Sequence, residues 1–175
     1  QVLLGQGQFL MLVSSDSGDT LARLQVFTGA VVHSLQRCGA SWLVRGGKSV
    51  ALVTITEDSR LEISQPETVH EDWVMASHCH LSADRVHLLT AHNKLLTVAS
   101  VRDLGEVTEA RTAECGPCIL YSGLLHRPEA GGLTVLAGTV FGKLIIWNGM
   151  TGEIINSLEG HDGVIFSVTY SGHTI

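Results

Sequence analysis

The chain has no uninterrupted apolar run of the ~18 to 20 residues that a membrane-spanning helix requires, so no spanning segment and no membrane partner are expected. It is also short of cations. With 11 Lys and Arg against 17 Asp and Glu, its formal charge is -6, which excludes a surface built mainly to neutralise nucleic-acid phosphate. A basic n-region, apolar h-region and small-residue cleavage site are missing from the start, so nothing marks the chain for secretion. Cys38, Cys79, Cys115 and Cys118 are then read as reduced thiols rather than a disulfide frame, and a cytoplasmic location is expected. Charge of either sign is sparse: charged residues make up 16% and hydrophobic residues 45% of 175 positions. That balance belongs to a chain that is largely buried and not disordered. Gln1 in place of Met, and an end at Ile175 within a strand-like run, are expected of an internal part of something longer.

What is present is a period. Four segments share the order small or polar, basic, Leu, any, apolar: Ala22-Arg23-Leu24-Gln25-Val26, Ser59-Arg60-Leu61-Glu62-Ile63, Asn93-Lys94-Leu95-Leu96-Thr97 and Gly142-Lys143-Leu144-Ile145-Ile146. Their leucines stand 37, 34 and 49 residues apart, a mean of 40. Each segment follows a second apolar run (9–13, 50–55, 86–89 and 133–137) that ends in polar turn residues, so each pair reads as a β-hairpin. After the hairpins, Thr28-Gly29-Ala30-Val31-Val32-His33-Ser34-Leu35 aligns without gaps to Thr151-Gly152-Glu153-Ile154-Ile155-Asn156-Ser157-Leu158, at an offset of 123 residues. Thr-Gly makes a turn and the β-branched run after it a third strand. A fourth strand per unit is expected at 42–44, 74–78, 119–125 and 164–170.

Four strands per forty residues is the size of one propeller blade. Strands apolar at consecutive positions, such as Leu144-Ile145-Ile146-Trp147, imply cover on both faces, as in stacked blades. An alternative stands at 81–96, where Leu81, Leu88, His92 and Leu95 lie at helix-like spacing. The fold expected is all-β: an incomplete WD40-type β-propeller of about four blades plus the first strand of a fifth. The approximate blades are 1–37, 38–73, 74–113 and 114–160, with the next beginning over 161–175. Trp147 closing a strand, then a turn, then Gly160-His161 opening the next unit, match the order of a WD40 repeat. Asn148 stands where that repeat usually carries Asp, and the other units lack both the Trp and the Gly-His.

Leu133-Thr134-Val135-Leu136-Ala137-Gly138, Leu144-Ile145-Ile146-Trp147 and Gly160-His161-Asp162-Gly163-Val164-Ile165-Phe166-Ser167-Val168-Thr169-Tyr170 resemble the WD repeat-containing protein 6 family. The resemblance implies a large cytoplasmic scaffold, of which this is an N-terminal portion. Such a scaffold is non-catalytic, holds a tRNA 2'-O-methyltransferase and supports ribose methylation in the anticodon loop. A protein partner is therefore implied, with tRNA contacted indirectly or on a shared surface, and Trp147, Gly160 and His161 as structural motif residues.

Four further places carry residue types that bear chemistry. Cys115-Gly116-Pro117-Cys118 has the form of a thiol-disulfide motif, but no Trp precedes it and no long helix follows; a turn between blades is the plainer reading. His78-Cys79-His80 offers zinc-ligand types, yet neighbours on a strand point to opposite faces and cannot all meet one metal. Gly46-Gly47-Lys48-Ser49 lacks the upstream Gly spacing of a phosphate-binding loop and reads as a hairpin turn. Arg37, Arg45 and Lys48 form one locally basic stretch, with no acid between residues 20 and 56, that could meet RNA phosphate. No Gly-rich strand-to-helix turn in an α/β pattern offers a methyl donor a site. No enzyme activity, cofactor, metal or small-molecule substrate is expected. The competing readings are a WD40 platform in another cytoplasmic complex, in signalling or trafficking, and a thiol-disulfide enzyme using Cys115 and Cys118. Exposed terminal faces and unpaired edges predict poor solubility of these residues alone.

Overall fold

The computed structural model describes residues 1–113, 118–128 and 131–171. They form antiparallel sheets with almost no helix, and the chain divides into two compact units. The first unit comprises residues 1–74, 79–85 and 99–106, and the second comprises 75–78, 86–98 and the described residues from 107 onward.

A three-stranded sheet of β1 (Val2–Gln6), β2 (Phe9–Val13) and β3 (Thr20–Gln25) opens the first unit, in that order. A four-stranded sheet follows, ordered β4 (Ser34–Cys38), β5 (Ser41–Gly46), β6 (Ser49–Ile55), β7 (Leu61–Val69). The third sheet runs from β8 (Val74–His80) through β9 (Arg85–Thr90) and β10 (Lys94–Ser100) to β11 (Asp103–Thr112), and its residues are divided between the units. The fourth, in the second unit, is β12 (Leu120–His126), β13 (Thr134–Thr139), β14 (Lys143–Asn148) and β15 (Ile154–Glu159).

Middle strands carry the apolar load. In β6, Val50, Ala51, Leu52 and Val53 are all buried, so both faces of the strand are covered, which polar alternation would not permit. Of these, Ala51 and Val53 join Leu10, Leu12, Phe27 and Val44 in the first unit's core. The second unit's core gathers Leu89, Leu95, Leu125, Val135, Ile145 and Trp147, each fully buried large side chain contributing roughly 1.5–3 kcal/mol. Strand β15, at the end of its sheet, is wet: every one of its residues is exposed.

Turns follow their chemistry. The β2–β3 loop is closed by Ser14, whose Oγ accepts from the Asp16 and Ser17 amides at 3.3 Å each. Gly46-Gly47-Lys48-Ser49 forms the β5–β6 hairpin turn, with Gly46 paired to Ser49.

The structure decides between the alternatives at 81–96 and departs from the sequence reading in two further places. Residues 81–96 form a single 3₁₀ turn (Leu81–Ala83) followed by strands, as the flanking repeats favour, rather than a helix. Leu88 and Leu89 are both fully buried, and adjacent positions buried on opposite sides need a strand covered on two faces. The two Thr-Gly segments also diverge. Residues 154–159 pair with β14 as β15, but the aligned run 31–35 leaves the first sheet: the Val32 amide bonds Gly7 O at 2.7 Å and the His33 amide bonds Arg45 O at 2.8 Å. From there it enters β4, on the next sheet, because the partner strand and not the local pattern decides where a β-prone run pairs. Finally, 164–170 form no strand; Ile165 is tucked in by its amide to Thr139 O (3.2 Å) and its carbonyl to Ser122 Oγ (2.7 Å).

Candidate interaction surface

In the first unit the run between β3 and β4 passes over the β5–β6 hairpin and the end of β7, leaving a groove of about 580 Å³. Gly46 permits the crossing, since a side chain there would collide with the Val31 carbonyl and the Phe27 ring. Glu67 forms the groove's polar base. It accepts from Ser49 Oγ (2.6 Å), the Thr28 amide (2.9 Å) and Thr28 Oγ1 (3.0 Å). Partial burial pushes the Glu67 carboxyl up, but these three donors outweigh it and hold the group below the usual carboxylate range. The walls are apolar and open: Val69 is 66% and Trp73 52% exposed, and the Trp73 ring lies 6.0 Å from that of His33. Lys48 stands on the rim, its Nζ donating to Glu71 O at 2.7 Å. Such a groove can hold an apolar side chain against Trp73 beside a polar end.

The sequence reading did not find it. Thr28 was legible as a turn, but Glu67 and Trp73 come from 39 and 45 residues further on, and only the pairing of β6 with β7 brings Glu67 to Ser49. A signal was available: Trp73 follows Glu71 and Asp72, an odd neighbourhood for a core residue.

The basic stretch is not one cluster. Arg37 is exposed, with Nε donating to Gly39 O at 2.7 Å and its guanidinium 5.4 Å from the Trp42 ring. Arg45 is half-buried and bonds Val74 O (3.2 Å) and Ser34 Oγ (2.8 Å), its Nε enclosed without a partner. Burial pulls its guanidinium down to about 10, which still leaves it charged at neutral pH.

In the second unit Trp147 is fully buried at the centre of the core, and its Nε1 donates to Asn93 Oδ1 at 2.9 Å. Asn93 sits in the β9–β10 turn with φ of 56°, a left-handed conformation that Asn tolerates well. Asn148, after Trp147, shapes the turn into β15: its Oδ1 accepts from the Met150 amide at 2.8 Å and its carbonyl from the Gly152 amide at 2.7 Å. His161 is exposed, and its main-chain carbonyl lies against Gly142 in the β13–β14 turn.

Cys115, Gly116 and Pro117 lie outside the described residues. Among the described residues no three His, Cys, Asp or Glu side chains converge in a way that could hold a metal, and no helix is long and apolar enough to cross a membrane. Of His78-Cys79-His80, Cys79 makes a sulfur contact instead: its thiol hydrogen-bonds that of Cys38.

No protein-family model matches the chain. It is similar to the tRNA (34-2'-O)-methyltransferase regulator WDR6 of Drosophila melanogaster, at 25% identity over 97% of this chain and 19% of that protein. The chain thus spans about a fifth of the relative's length. Among solved structures it superposes on the computationally designed protein Ika8 with a TM-score of 0.63 at 11% identity, over 97% of this chain and 50% of that one. The chain is an all-β assembly of antiparallel sheets, consistent with a β-propeller-like fold and distantly similar to a WD-repeat regulator.

Proposed function

We propose that the chain is part of a non-catalytic WD40-type β-propeller scaffold that binds a tRNA 2'-O-methyltransferase and supports ribose methylation at tRNA position 34. The observation that carries this reading is the similarity to a regulator of that methyltransferase along 97% of the chain. The sheets spanning 2–25, 34–69, 74–112 and 120–159 are taken as its blades, with Trp147, Gly160 and His161 as structural motif residues of the last. Scaffolds of this kind act through rims and grooves, and the groove at Trp73 is the surface assigned to the methyltransferase, with apolar walls for an anchoring side chain. Any RNA contact falls to Arg37 and Lys48 on a shared surface, since Arg45 is engaged in holding the fold.

The test is affinity purification of the full-length protein from its own cells, with quantification of 2'-O-methylation at tRNA position 34 after depletion. Recovery of a methyltransferase, its loss with Trp73→Ala, and a fall in methylation are expected. Recovery of a different complex with methylation unchanged would establish a WD40 platform serving another process, because fold alone does not set function.

A further inference from the structure

Glu67 is a charged group among neutral partners. Ser49 Oγ, the Thr28 amide and Thr28 Oγ1 are uncharged donors, and among the described residues no cation is ion-paired with it. Lys48, on the same rim, donates instead to Glu71 O. A carboxylate offers about four acceptor positions on its two oxygens. Thr28 fills both on Oε2 and Ser49 fills one on Oε1, so a single position on Oε1 is left open. Despite partial burial, these donors keep the carboxyl below its ordinary range, so it is ionised at neutral pH. The wall beside it is apolar: Val69 stands two residues along β7 and lines the groove together with Trp73. Glu71 and Asp72 lead into Trp73, and Asp72 Oδ1 accepts from the Trp73 amide at 2.8 Å. Carboxylates therefore outnumber the local cations, Lys48 and the half-buried Arg45 that bonds Val74 O.

We propose that this groove takes a lysine side chain of the partner protein, its ammonium donating to Glu67 Oε1 and its methylene stem lying against Val69 and Trp73. That the partner is a methyltransferase rests on the function proposed above; the choice of lysine rests on the groove alone. Charge selects a cation, because an N–H···O bond between ionised groups, sheltered by apolar walls, is stronger than a neutral one. The acceptor count selects lysine over arginine. A guanidinium fork bonds both oxygens of a carboxylate side by side and needs an open position on each, whereas an ammonium is a point donor that one position satisfies. The indole of Trp73 beside the stem adds cation–π attraction. Because three donors already fix the carboxylate, it loses little freedom when the ammonium arrives, which favours binding. The groove volume of about 580 Å³ admits the side chain with the backbone that carries it.

Ligand-observed saturation-transfer NMR on the full-length protein, with Nα-acetyl-lysine methylamide as the probe, tests the site without any partner. Saturation of the lysine methylenes is expected. Affinity should fall about tenfold or more in Glu67→Gln, which keeps the side-chain shape without the charge, and binding should be lost in Trp73→Ala. The norleucine analogue, which has an apolar stem and no charge, and the arginine analogue should both bind more weakly than lysine. If Glu67→Gln does not fold, Val69→Lys, at a 66% exposed position, supplies a rival ammonium and must block the probe. In the complex purified from cells, a carbodiimide, which joins carboxylate to amine without a spacer, should link Glu67 to a lysine of the methyltransferase. Equal binding of the norleucine or arginine analogue, lysine binding unchanged in folded Glu67→Gln, or an intact complex without that link overturns the proposal, even where a methyltransferase is recovered and lost with Trp73→Ala. Lysine binding that depends on Glu67, with no methyltransferase recovered, upholds the site and overturns the function proposed above instead.

Discussion

At the scale of single residues, two buried polar contacts set the clearest expectations. Trp147 holds its ring in the second unit's core and its one N–H on Asn93. Trp147→Phe keeps most of the packing but leaves the Asn93 oxygen short of a donor, so chemical denaturation should show a loss of about 1–3 kcal/mol. Trp147→Ala removes the packing as well, and a loss of roughly 3–5 kcal/mol is expected. His70 is the titrating counterpart. It is buried, its Nε2 has no hydrogen-bond partner, and burial holds its pKa below the ordinary 6.5. The native state thus keeps His70 neutral while the unfolded chain takes up a proton. The stability it permits is complete above pH 6.5 and lost as pH falls below it. Urea midpoints measured from pH 7.5 to 5 should fall, and His70→Leu should flatten that slope; an unchanged slope would place the acid sensitivity elsewhere.

At the scale of elements, legibility tracked burial. Strands β6, β9, β13 and β14 are the apolar runs that the period marked, because interior strands can be read from consecutive β-branched and Leu residues. Strand β11, Asp103–Thr112, was not found: its exposed, mostly polar residues carry no hydrophobic signal, and pairing with β10 alone makes it a strand. The Thr-Gly alignment failed for a related reason. Local sequence specified extended backbone at 31–35 and at 154–158, but not the strand to which each would bond. Trp147, as a packing residue, was visible in its motif, whereas Asn93 as its partner was not, being 54 residues away. Close approaches were equally hidden. Gly142 adopts φ of 75° in the β13–β14 turn, and a side chain there would collide with the His161 carbonyl. Gly142→Ala therefore meets left-handed strain of about 1–2 kcal/mol, plus displacement of 161–163. Thermal denaturation should show a clear drop in Tm, while Gly131→Ala, also at positive φ but in open space, should show a smaller one.

At the scale of the whole molecule, the balance between covered interior and bare periphery decides behaviour in solution. Phe141 is 70% and Phe166 72% exposed, and Phe166 meets Tyr121 edge-on at 5.1 Å, so these rings offer apolar surface to solvent in the second unit. Strand β15 adds an outer edge bearing Ile154, Ile155 and Leu158, all exposed. A strand edge beside apolar side chains is a template for another chain, and a net charge of -6 gives only modest repulsion against it. Light scattering of residues 1–175 should therefore give a mass that rises with concentration. Phe141→Ser with Phe166→Ser should lower that rise by removing apolar surface, whereas Ile155→Lys should lower it by charging the edge. If the rings dominate, the double serine change acts more strongly than the lysine; if strand pairing dominates, the order reverses. A monomeric mass at high concentration in the unaltered chain would mean that neither surface binds its own kind.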